Sequence, residues 1–293
     1  MPTFSLATWN VNGIRAVQNK GFWESLATLD VDVMSVQETK TDPEKMIDVV
    51  KTINSHGWST AFLSATMRKG YSGVATMWKG GLAAKSGDAL FDGTEGENMP
   101  ELSSALMIVW SRMGLVDEEF DCEGRIVLTK FSVTGTDISF VLINGYYPQG
   151  GRGEHRIQYK LRFYIKVREL AQKLIVEGEQ VILCGDFNTT VGDIDLARPK
   201  ENKNTTGCLP IEREALATFF EIGLVDVFRH FYPDLAGAYS YWDQITRARE
   251  RNVGWRIDMF LVSPGLLPYI TDCTIRPDIF GSDHCPVVIL FTI

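Results

Sequence analysis

The sequence predicts an α+β fold in which two β-sheets pack face to face and helices cover their outer surfaces. Three observations support it: short β-like runs dominate the chain, helical segments occur between them, and no proline- or serine-rich linker or short repeat divides it. The 293 residues, of which 45% are hydrophobic, are enough to bury a sizeable core. We therefore predict one domain over residues 1–293, with an acidic insertion at about residues 80–120.

Nine short apolar runs predict the strands of these sheets. Each is rich in β-branched, aromatic or other apolar residues and is bounded by turn residues, a pattern typical of strands. In chain order they cover residues 4–9, 31–36, 74–78, 105–110, 125–133, 138–142, 181–183, 255–262 and 286–291.

Three segments carry helix signals. The segment TDPEKMIDVVKTINSHG, residues 41–57, opens with Thr41 and Glu44 at capping-box spacing and has proline in its first turn. Residues 154–178 form a long, charged and broadly amphipathic segment, and residues 210–223 end on a glycine, as helices commonly do.

Acidic residues are concentrated in one part of the chain. The net charge is −8, but residues 88–121 alone contain nine acidic residues and one basic residue, so the rest of the chain is neutral. Total charge therefore neither favours nor excludes a nucleic-acid partner. Residues 80–104 are rich in glycine and acidic residues, which predicts an insertion on the surface. This acidic excursion from the fold could repel a polyanion, bind a basic partner or be only a solvated loop.

The chain lacks the signals of a membrane or secreted protein. Its apolar runs are far shorter than the roughly 20 residues of a membrane helix, and the N-terminus MPTFSLATWN has no signal-peptide pattern. The five cysteines are scattered and include no C-x-x-C pair, which argues against a zinc site or a disulfide framework. We expect a cytoplasmic location and no membrane partner.

Polar residues cluster at the ends of four predicted strands. Taken singly, such residues are usually turn formers or helix caps. Together they are oxygen ligands with one histidine, a set that suits a hard divalent cation such as Mg²⁺, held by carboxylates and substrate phosphate. The four ends are ATWNVNG with Asn10 and Asn12, MSVQETK with Gln37 and Glu38, ILCGDFN with Asp186 and Asn188, and FGSDHCPVV with Asp283 and His284.

Two of these ends allow a more specific interpretation. Because side chains alternate along a strand, Asp186 and Asn188 are expected on one side and Phe187 on the other. The pair Asp283 and His284 could belong to a serine hydrolase, but no G-x-S-x-G nucleophile motif occurs. His284 is therefore interpreted as a donor toward a phosphoryl oxygen or as a general acid/base.

Two further segments could contact phosphate. In NGYYPQGGRGEHR, either Tyr146 or Tyr147 could present its phenol while Arg152 lies in a glycine-rich loop, although a simple Tyr-Pro turn is the alternative. In TRARERNVGWRID, three arginines fall on one face if the segment is extended, which would form a stripe for a phosphate backbone. A helical turn would scatter them. The three are Arg247, Arg249 and Arg251, with Arg256 nearby and aromatic residues at 239, 241, 242 and 255.

The order of several motifs resembles the exonuclease III family of apurinic/apyrimidinic endonucleases. The motifs are TWNVNGIRA, QETK, GYSGVA, GYYPQGGRG, CGDFNTT, IDLARPKENKNTTG, RARERNVGWRID and GSDHCPV. GDFN alone would fit the wider superfamily of metal-dependent phosphoesterases, whereas ARPKENKN and RNVGWRID are particular to the DNA-repair branch. The resemblance implies a deoxyribonuclease I-like fold, a four-layer α/β sandwich of two packed mixed β-sheets flanked by helices.

The resemblance also implies roles for individual residues. It assigns metal binding to Glu38, with Asn10 and Asp283 beside the metal. It assigns catalysis to five residues. Asp186 would remove a proton from the attacking water, and Asn188 would position that water. His284 and Tyr146 would contact the phosphate, and the carboxylate of Asp258 would orient the histidine. An apolar pocket for a flipped-out abasic sugar would consist of Tyr241, Trp255 and Ile257.

The function implied is Mg²⁺-dependent hydrolysis of the phosphodiester 5′ to an abasic site in duplex DNA, leaving a 3′-hydroxyl. Mn²⁺ could substitute, and 3′–5′ exonuclease or 3′-repair activity is expected alongside. The implied partners are duplex DNA with abasic sites or blocked 3′ ends and other repair proteins, and we expect a monomer. Two alternatives remain open: a same-fold phosphoesterase acting on phosphoinositides or sphingomyelin, and a non-catalytic DNA-binding module.

Overall fold

The computed structural model of the protein describes residues 2–79 and 105–293. Its twelve described strands are β1 (Thr3–Asn10), β2 (Val33–Gln37), β3 (Trp58–Leu63), β4 (Val74–Lys79), β5 (Leu106–Met113), β6 (Ile126–Val133), β7 (Ser139–Tyr146), β8 (Val181–Asp186), β9 (Val225–Asp226), β10 (Asp258–Val262), β11 (Ile270–Ile275) and β12 (Val287–Thr292). Its described α-helices are α1 (Ile14–Gln18), α2 (Phe22–Leu29), α3 (Pro43–Ser55), α4 (Glu118–Asp121), α5 (Glu154–Val176), α6 (Pro199–Asn202), α7 (Pro210–Glu221) and α8 (Val227–Phe231).

The strands form two six-stranded sheets. The first has the order β11-β12-β1-β2-β4-β3, and the second has the order β5-β6-β7-β8-β10-β9. Both are mixed, because β1 runs parallel to β2 and β7 runs parallel to β8, whereas the other neighbours are antiparallel. The predicted α+β class with two packed mixed sheets is confirmed.

Three apolar layers hold the sandwich together. Residues of both sheets, among them Phe4, Phe140 and Phe260, form the buried layer between the sheets. Outside the second sheet, a cluster that includes Phe163 and Phe219 packs α5 and α7 onto the strands. A corresponding cluster covers the outer face of the first sheet with α1, α2 and α3. This burial is the main favourable contribution to folding and sets the distance between the sheets.

All nine predicted runs fall on strands, although the run at 255–262 begins earlier than β10 does. The sequence missed β3, β9 and β11. In β3 and β11, hydroxyl-bearing and acidic residues interrupt the apolar pattern, and β9 has only two residues. Such short or polar strands lie toward the edges of sheets, where one side of the backbone has no partner strand and apolar patterning is weak.

The predicted helices form, but the capping box does not. Helix α3 begins at Pro43 with Asp42 at its N-cap. The hydroxyl of Thr41 instead donates to the carbonyl of Thr39 (3.1 Å), and Glu44 forms an ion pair with Lys69 (3.0 Å). Helices α5 and α7 match the other two predictions. Among the helices of residues 2–79 and 105–293, none is long and apolar enough to span a membrane.

The predicted acidic excursion, residues 80–104, lies outside the described residues. The strands on either side of it, β4 and β5, belong to different sheets. The last part of the insertion predicted at about residues 80–120 is part of the fold, because β5 pairs with β6 at the edge of the second sheet and α4 follows.

A fully buried arginine fixes the chain just before β10. Arg256 donates through Nε to Asp195 (2.7 Å) and through Nη2 to Asp226 (2.7 Å). Arg229 also donates to Asp195 (2.6 Å). Burial would raise the pKa of Asp195, but its attraction to Arg256 and Arg229 holds that pKa below the ordinary value. Arg256 is therefore structural and is not part of a surface stripe of arginines.

We predict that Arg256→Met lowers the free energy of unfolding by about 3–5 kcal/mol, because it leaves the buried carboxylate of Asp226 without its cation and leaves Asp195 with Arg229 alone. Urea denaturation at neutral pH measures this change. Arg251→Met is the control; Arg251 is exposed and nearby, and its loss should cost less than about 0.5 kcal/mol. A change below about 1 kcal/mol for Arg256→Met would show that the cluster contributes little.

Candidate active site

The carboxyl ends of four strands meet at one edge of the sandwich. In the first sheet, β1 ends at Asn10, and Glu38 directly follows the parallel strand β2. In the second sheet, β7 ends at Tyr146 and the parallel strand β8 ends at Asp186. The antiparallel strands β10 and β12 start at this same edge, so that Asp258 pairs with Asp186 in register and His284 lies just before β12.

A cavity of about 630 Å³ opens at this edge. Ten of the sequence-predicted residues line it, and Asp258, Arg152, Arg247 and Arg249 do not. The ten are Asn10, Glu38, Tyr146, Asp186, Asn188, Tyr241, Trp255, Ile257, Asp283 and His284. Residues scattered over most of the sequence are thus brought to one site.

Asp186 is almost fully buried and is held by amides. Its carboxylate accepts hydrogen bonds from Asn10 Nδ2 (2.9 Å), the Asn188 backbone N–H (2.8 Å) and Asn188 Nδ2 (3.1 Å). Phe187 points the other way and stacks on Tyr147, with ring centroids 4.3 Å apart. Asp186 and Asn188 thus lie on one side of this segment and Phe187 on the other, as the alternation of side chains predicted. Burial raises the pKa of Asp186 above its ordinary value, although His284 opposes the rise.

The backbone around Asp186 requires a glycine. Gly185 has φ 132°, and a Cβ built on it would lie 1.8 Å from the carbonyl oxygen of Gly145 on β7. Close approach of β7 and β8 is therefore possible only without a side chain at position 185. Asn188 also adopts positive φ (51°), which an asparagine tolerates better than most residues.

His284 is oriented by Asp258. Its Nδ1 donates to Asp258 Oδ2 (2.8 Å), which also accepts from the Ser240 hydroxyl (2.6 Å). Nε2 then lies 3.9 Å from Asp186 Oδ2, on the cavity side. Burial would lower the pKa of His284, but the nearby carboxylates of Asp258 and Asp186 outweigh it and raise that pKa. The imidazole therefore favours its protonated, donating form.

Of the two candidate tyrosines, Tyr146 faces the cavity, and Tyr147 is buried in the core. The phenol of Tyr146 donates to Glu38, and the guanidinium of Arg125 lies 4.6 Å from the centroid of its ring. Arg125 also donates to the Tyr146 carbonyl (2.7 Å). Burial raises the pKa of the Tyr146 phenol, so the group acts as a hydrogen-bond donor.

Two groups of side chains could hold a cation. The first consists of the predicted oxygen donors Glu38 and Asp283, which both line the cavity. A chain of contacts connects them. The Nζ of Lys40 lies 3.1 Å from Oε2 of Glu38 and donates to the side-chain oxygen of Asn12, and Nδ2 of Asn12 donates to Oδ1 of Asp283 (3.0 Å). The second group has ligand atoms within 4.8 Å of one another and consists of Asp186, Asp258 and His284. Because His284 Nδ1 is already bonded to Asp258, the carboxylate oxygens of Glu38 and Asp283 fit a hard cation better.

The arginine segment is not extended, so the predicted stripe is wrong. Arg247 has positive φ (51°), and residues 248–251 form a 3₁₀-helix that scatters the side chains. Arg249 lies against the rings of Trp242 (4.7 Å) and Phe280 (4.4 Å) and donates to the backbone carbonyls of 277, 279 and 282. Arg247 and Arg249 instead line a neighbouring cavity of about 860 Å³.

Arg152 is exposed outside the cavity, and its guanidinium carbon lies 5.9 Å from the centroid of the Tyr71 ring.

The sequence did not point to several residues that line the cavity wall, which are Arg198, Glu201, Asn202, Thr205 and Thr206. They all lie in the motif IDLARPKENKNTTG, which was recognised as a family signature without any residue of it being assigned to the site. Lys40 was within the quoted motif QETK and was missed in the same way.

We predict that Gly185→Ala destabilises the fold by about 3 kcal/mol or more, because the added methyl group has to displace the backbone of β7. Gly192→Ala is the matched control, since nothing lies within 4 Å of its built Cβ and its φ is −147°. Chemical denaturation of both variants measures the difference. Equal stability of the two variants would contradict the close-contact explanation.

The chain is similar to a known protein family and to several known proteins. The profile of the endonuclease/exonuclease/phosphatase family matches residues 7–284. An exodeoxyribonuclease of Bacillus subtilis is 37% identical over 292 residues, covering 98% of this chain and 99% of the relative. The DNA repair nuclease APEX1 of Danio rerio is 33% identical over 288 residues, covering 98% and 82%. The solved AP endonuclease LMAP of Leishmania major has a TM-score of 0.81 at 27% identity, covering 100% of this chain and 88% of that one.

Proposed function

The chain belongs to the endonuclease/exonuclease/phosphatase family, and we propose that it is a Mg²⁺-dependent DNA-repair nuclease. In this proposal it hydrolyses the phosphodiester 5′ to an abasic site in duplex DNA and leaves a 3′-hydroxyl, with 3′–5′ exonuclease or 3′-repair activity alongside. Relatives named exodeoxyribonuclease and AP endonuclease support a hydrolytic nuclease that acts in DNA repair.

One observation carries the proposal. Asp186, the Asn188 side chain that donates to it, and His284 face the same cavity as an apolar wall formed by Tyr241, Trp255 and Ile257. A group that can activate water therefore lies beside a surface that can receive a sugar without a base. A phosphate between the two walls would be within reach of both.

The proposed metal site consists of Glu38, with Asn10 and Asp283 beside it. Their carboxylate and amide oxygens are the ligands that Mg²⁺ prefers, and Mn²⁺ could replace it. When bound, the cation would neutralise phosphate oxygens and stabilise the departing 3′-oxygen.

Asp186 is proposed as the base. It takes a proton from a water molecule, the water oxygen forms a bond to phosphorus, and the bond from phosphorus to the 3′-oxygen breaks, with its electron pair leaving on that oxygen. The 3′-oxygen then takes up a proton from solvent water to become the 3′-hydroxyl, and Asp186 releases its proton to solvent. A buried carboxylate with a raised pKa is suited to proton removal near neutral pH. The amides of Asn10 and Asn188 hold the carboxylate in place during this step.

His284 and Tyr146 are proposed to bind the phosphate. The Asp258 carboxylate occupies Nδ1 of His284, so Nε2 is left to donate to a phosphoryl oxygen as negative charge develops there. Tyr146 would transfer its phenol hydrogen bond from Glu38 to the phosphate when the metal occupies Glu38. Both donors are positioned before substrate arrives, which reduces the reorganisation that the reaction requires.

The proposed DNA contacts are partly revised by the structure. Arg152 and Arg247 are exposed and remain the proposed contacts for the phosphate backbone. The guanidinium of Arg249 already binds three backbone carbonyls, so it is assigned instead to holding the turn before Asp283. The proposed partner is duplex DNA with abasic sites or blocked 3′ ends, bound by a cytoplasmic monomer.

We expect the chain to incise a duplex that carries one tetrahydrofuran abasic analogue when Mg²⁺ is present and to be inactive in EDTA. Denaturing gel electrophoresis of an end-labelled strand measures incision. A phosphoinositide and sphingomyelin panel is assayed in parallel, and no turnover of either lipid is expected. Absence of metal-dependent incision, under conditions in which an AP endonuclease cuts the same duplex, would overturn the proposal.

We expect Asp186→Asn to lower kcat by about 10²- to 10⁴-fold, because an amide cannot accept the proton from water. Binding to the abasic duplex in EDTA, measured by gel shift, should remain within about threefold of the wild type, since the contacts to DNA are unchanged. The control is Asp193→Asn, which removes an exposed carboxylate from the segment that follows β8. An unchanged kcat for Asp186→Asn would remove Asp186 from the role of base.

A further inference from the structure

A buried ion pair lies behind the wall of the cavity. Lys160 on α5 and Glu212 on α7 are both fully buried, and Nζ lies 2.7 Å from Oε1. Neither side chain lines the cavity. Burying two charges is costly, and a well-packed apolar pair at such a place is often equally stable or more stable. Stability alone therefore does not account for a charged pair at this position.

Glu212 anchors the loop that runs from Thr205 to Leu209. Its Oε1 accepts from the Thr206 hydroxyl (2.6 Å), and its Oε2 accepts from the backbone N–H groups of Gly207 and Leu209, the latter at 3.3 Å. An apolar side chain could not replace these three contacts. Thr205 and Thr206 line the cavity, so the carboxylate sets the position of this part of its wall.

Lys160 anchors a second part of the wall, the segment at Asn188. Its Nζ donates to the backbone carbonyl of Asn188 (2.8 Å) as well as to Glu212. The backbone of Asn188 has positive φ, and its side chain and N–H hold Asp186. The lysine thus reaches the segment proposed to orient the base, without contacting the cavity itself.

Gly207 joins the two walls. A Cβ built on Gly207 would lie 3.0 Å from the Asn188 carbonyl and 3.0 Å from the Trp255 ring. The loop therefore packs between Asn188, next to the proposed base, and Trp255 of the apolar wall. The Thr190 N–H also donates to the Gly207 carbonyl (2.9 Å). Any shift of Gly207 would change the distance between the two walls.

We propose that Lys160 and Glu212 are positioning residues of the nuclease site, a proposal that rests on the proposed function. The pair holds the Asn188 backbone and the 205–209 loop in one arrangement. The base and the apolar pocket then keep the spacing that the reaction requires. Neither residue touches the reacting atoms.

The test is the double substitution Lys160→Met/Glu212→Leu, which removes both charges together and leaves no buried charge unpaired. The thermal midpoint should fall, because the N–H groups of Gly207 and Leu209 and the carbonyl of Asn188 lose these partners, but the variant should remain folded at the assay temperature. On the abasic duplex with Mg²⁺, kcat should fall by at least about fivefold, since small misplacements of reacting groups are costly, while KM stays within about threefold. The control is Lys130→Met/Glu179→Leu, an ion pair that joins β6 to the segment between α5 and β8 away from the cavity, which should leave kcat unchanged.

A loss of kcat smaller than about fivefold in a folded double variant would overturn the proposal. Single substitutions decide the matter if the double variant does not fold. Lys160→Arg keeps a cation at this position and should retain more of kcat than Lys160→Met, which should lose at least about fivefold. Equal losses in the two single variants would also overturn the positioning role.

Hydrogen exchange in the free protein separates this proposal from the proposed function. The backbone amides of residues 203–209 should exchange faster in the double variant, while those of β7 and β8 stay protected. Unchanged exchange at 203–209 would show that the pair does not anchor the loop. If the wild-type chain fails to incise abasic DNA, the proposed function fails, and the exchange result still tests the anchoring.

Discussion

The hydrogen bond from Asn10 Nδ2 to Asp186 Oδ2 joins the two sheets at the edge where the site forms. Each residue ends a strand that has a parallel neighbour, so packing the sheets brings two carboxyl-terminal edges together. Asp186 is nearly fully buried without a direct ion pair from a lysine or arginine among residues 2–79 and 105–293, and amides stabilise its charge. Burial raises its pKa although these amide hydrogen bonds and His284 act to lower it, and the proposed role as a base depends on that rise.

A second contact across the sheets completes the site. His284 lies just before β12 in the first sheet, and Asp258 begins β10 in the second. The parts of the cavity proposed to hold the water and the phosphate are therefore both assembled by sheet packing. Behind them, the buried side chains of Arg256 and of the Lys160–Glu212 pair hold the loops that form the walls. The site is coupled to folding of the whole domain, because no single segment contains it.

Much of this arrangement could be predicted from local patterns. Apolar runs located nine of the twelve described strands, and clusters of polar residues at their ends pointed to Glu38, Asp186 and His284, whose individual roles were implied by the family resemblance. The conformation of residues 247–251 could not be predicted, since alternating arginines fit an extended strand and a 3₁₀-helix equally well. The partners of Arg249 are carbonyls about 30 residues away. Likewise, Lys160 and Glu212 look like solvent-facing charges in amphipathic helices, and only the packing of α5 against α7 makes them buried partners.

Asp186 and its neighbours are proposed to direct water onto phosphorus. Incision of an abasic duplex in H₂¹⁸O, followed by mass spectrometry of both products, tests this proposal most directly. The account predicts one ¹⁸O atom in the 5′-phosphate on the abasic side of the break and an unlabelled 3′-hydroxyl on the other. An unlabelled phosphate together with an unsaturated sugar at the 3′ end would indicate elimination and would contradict the account.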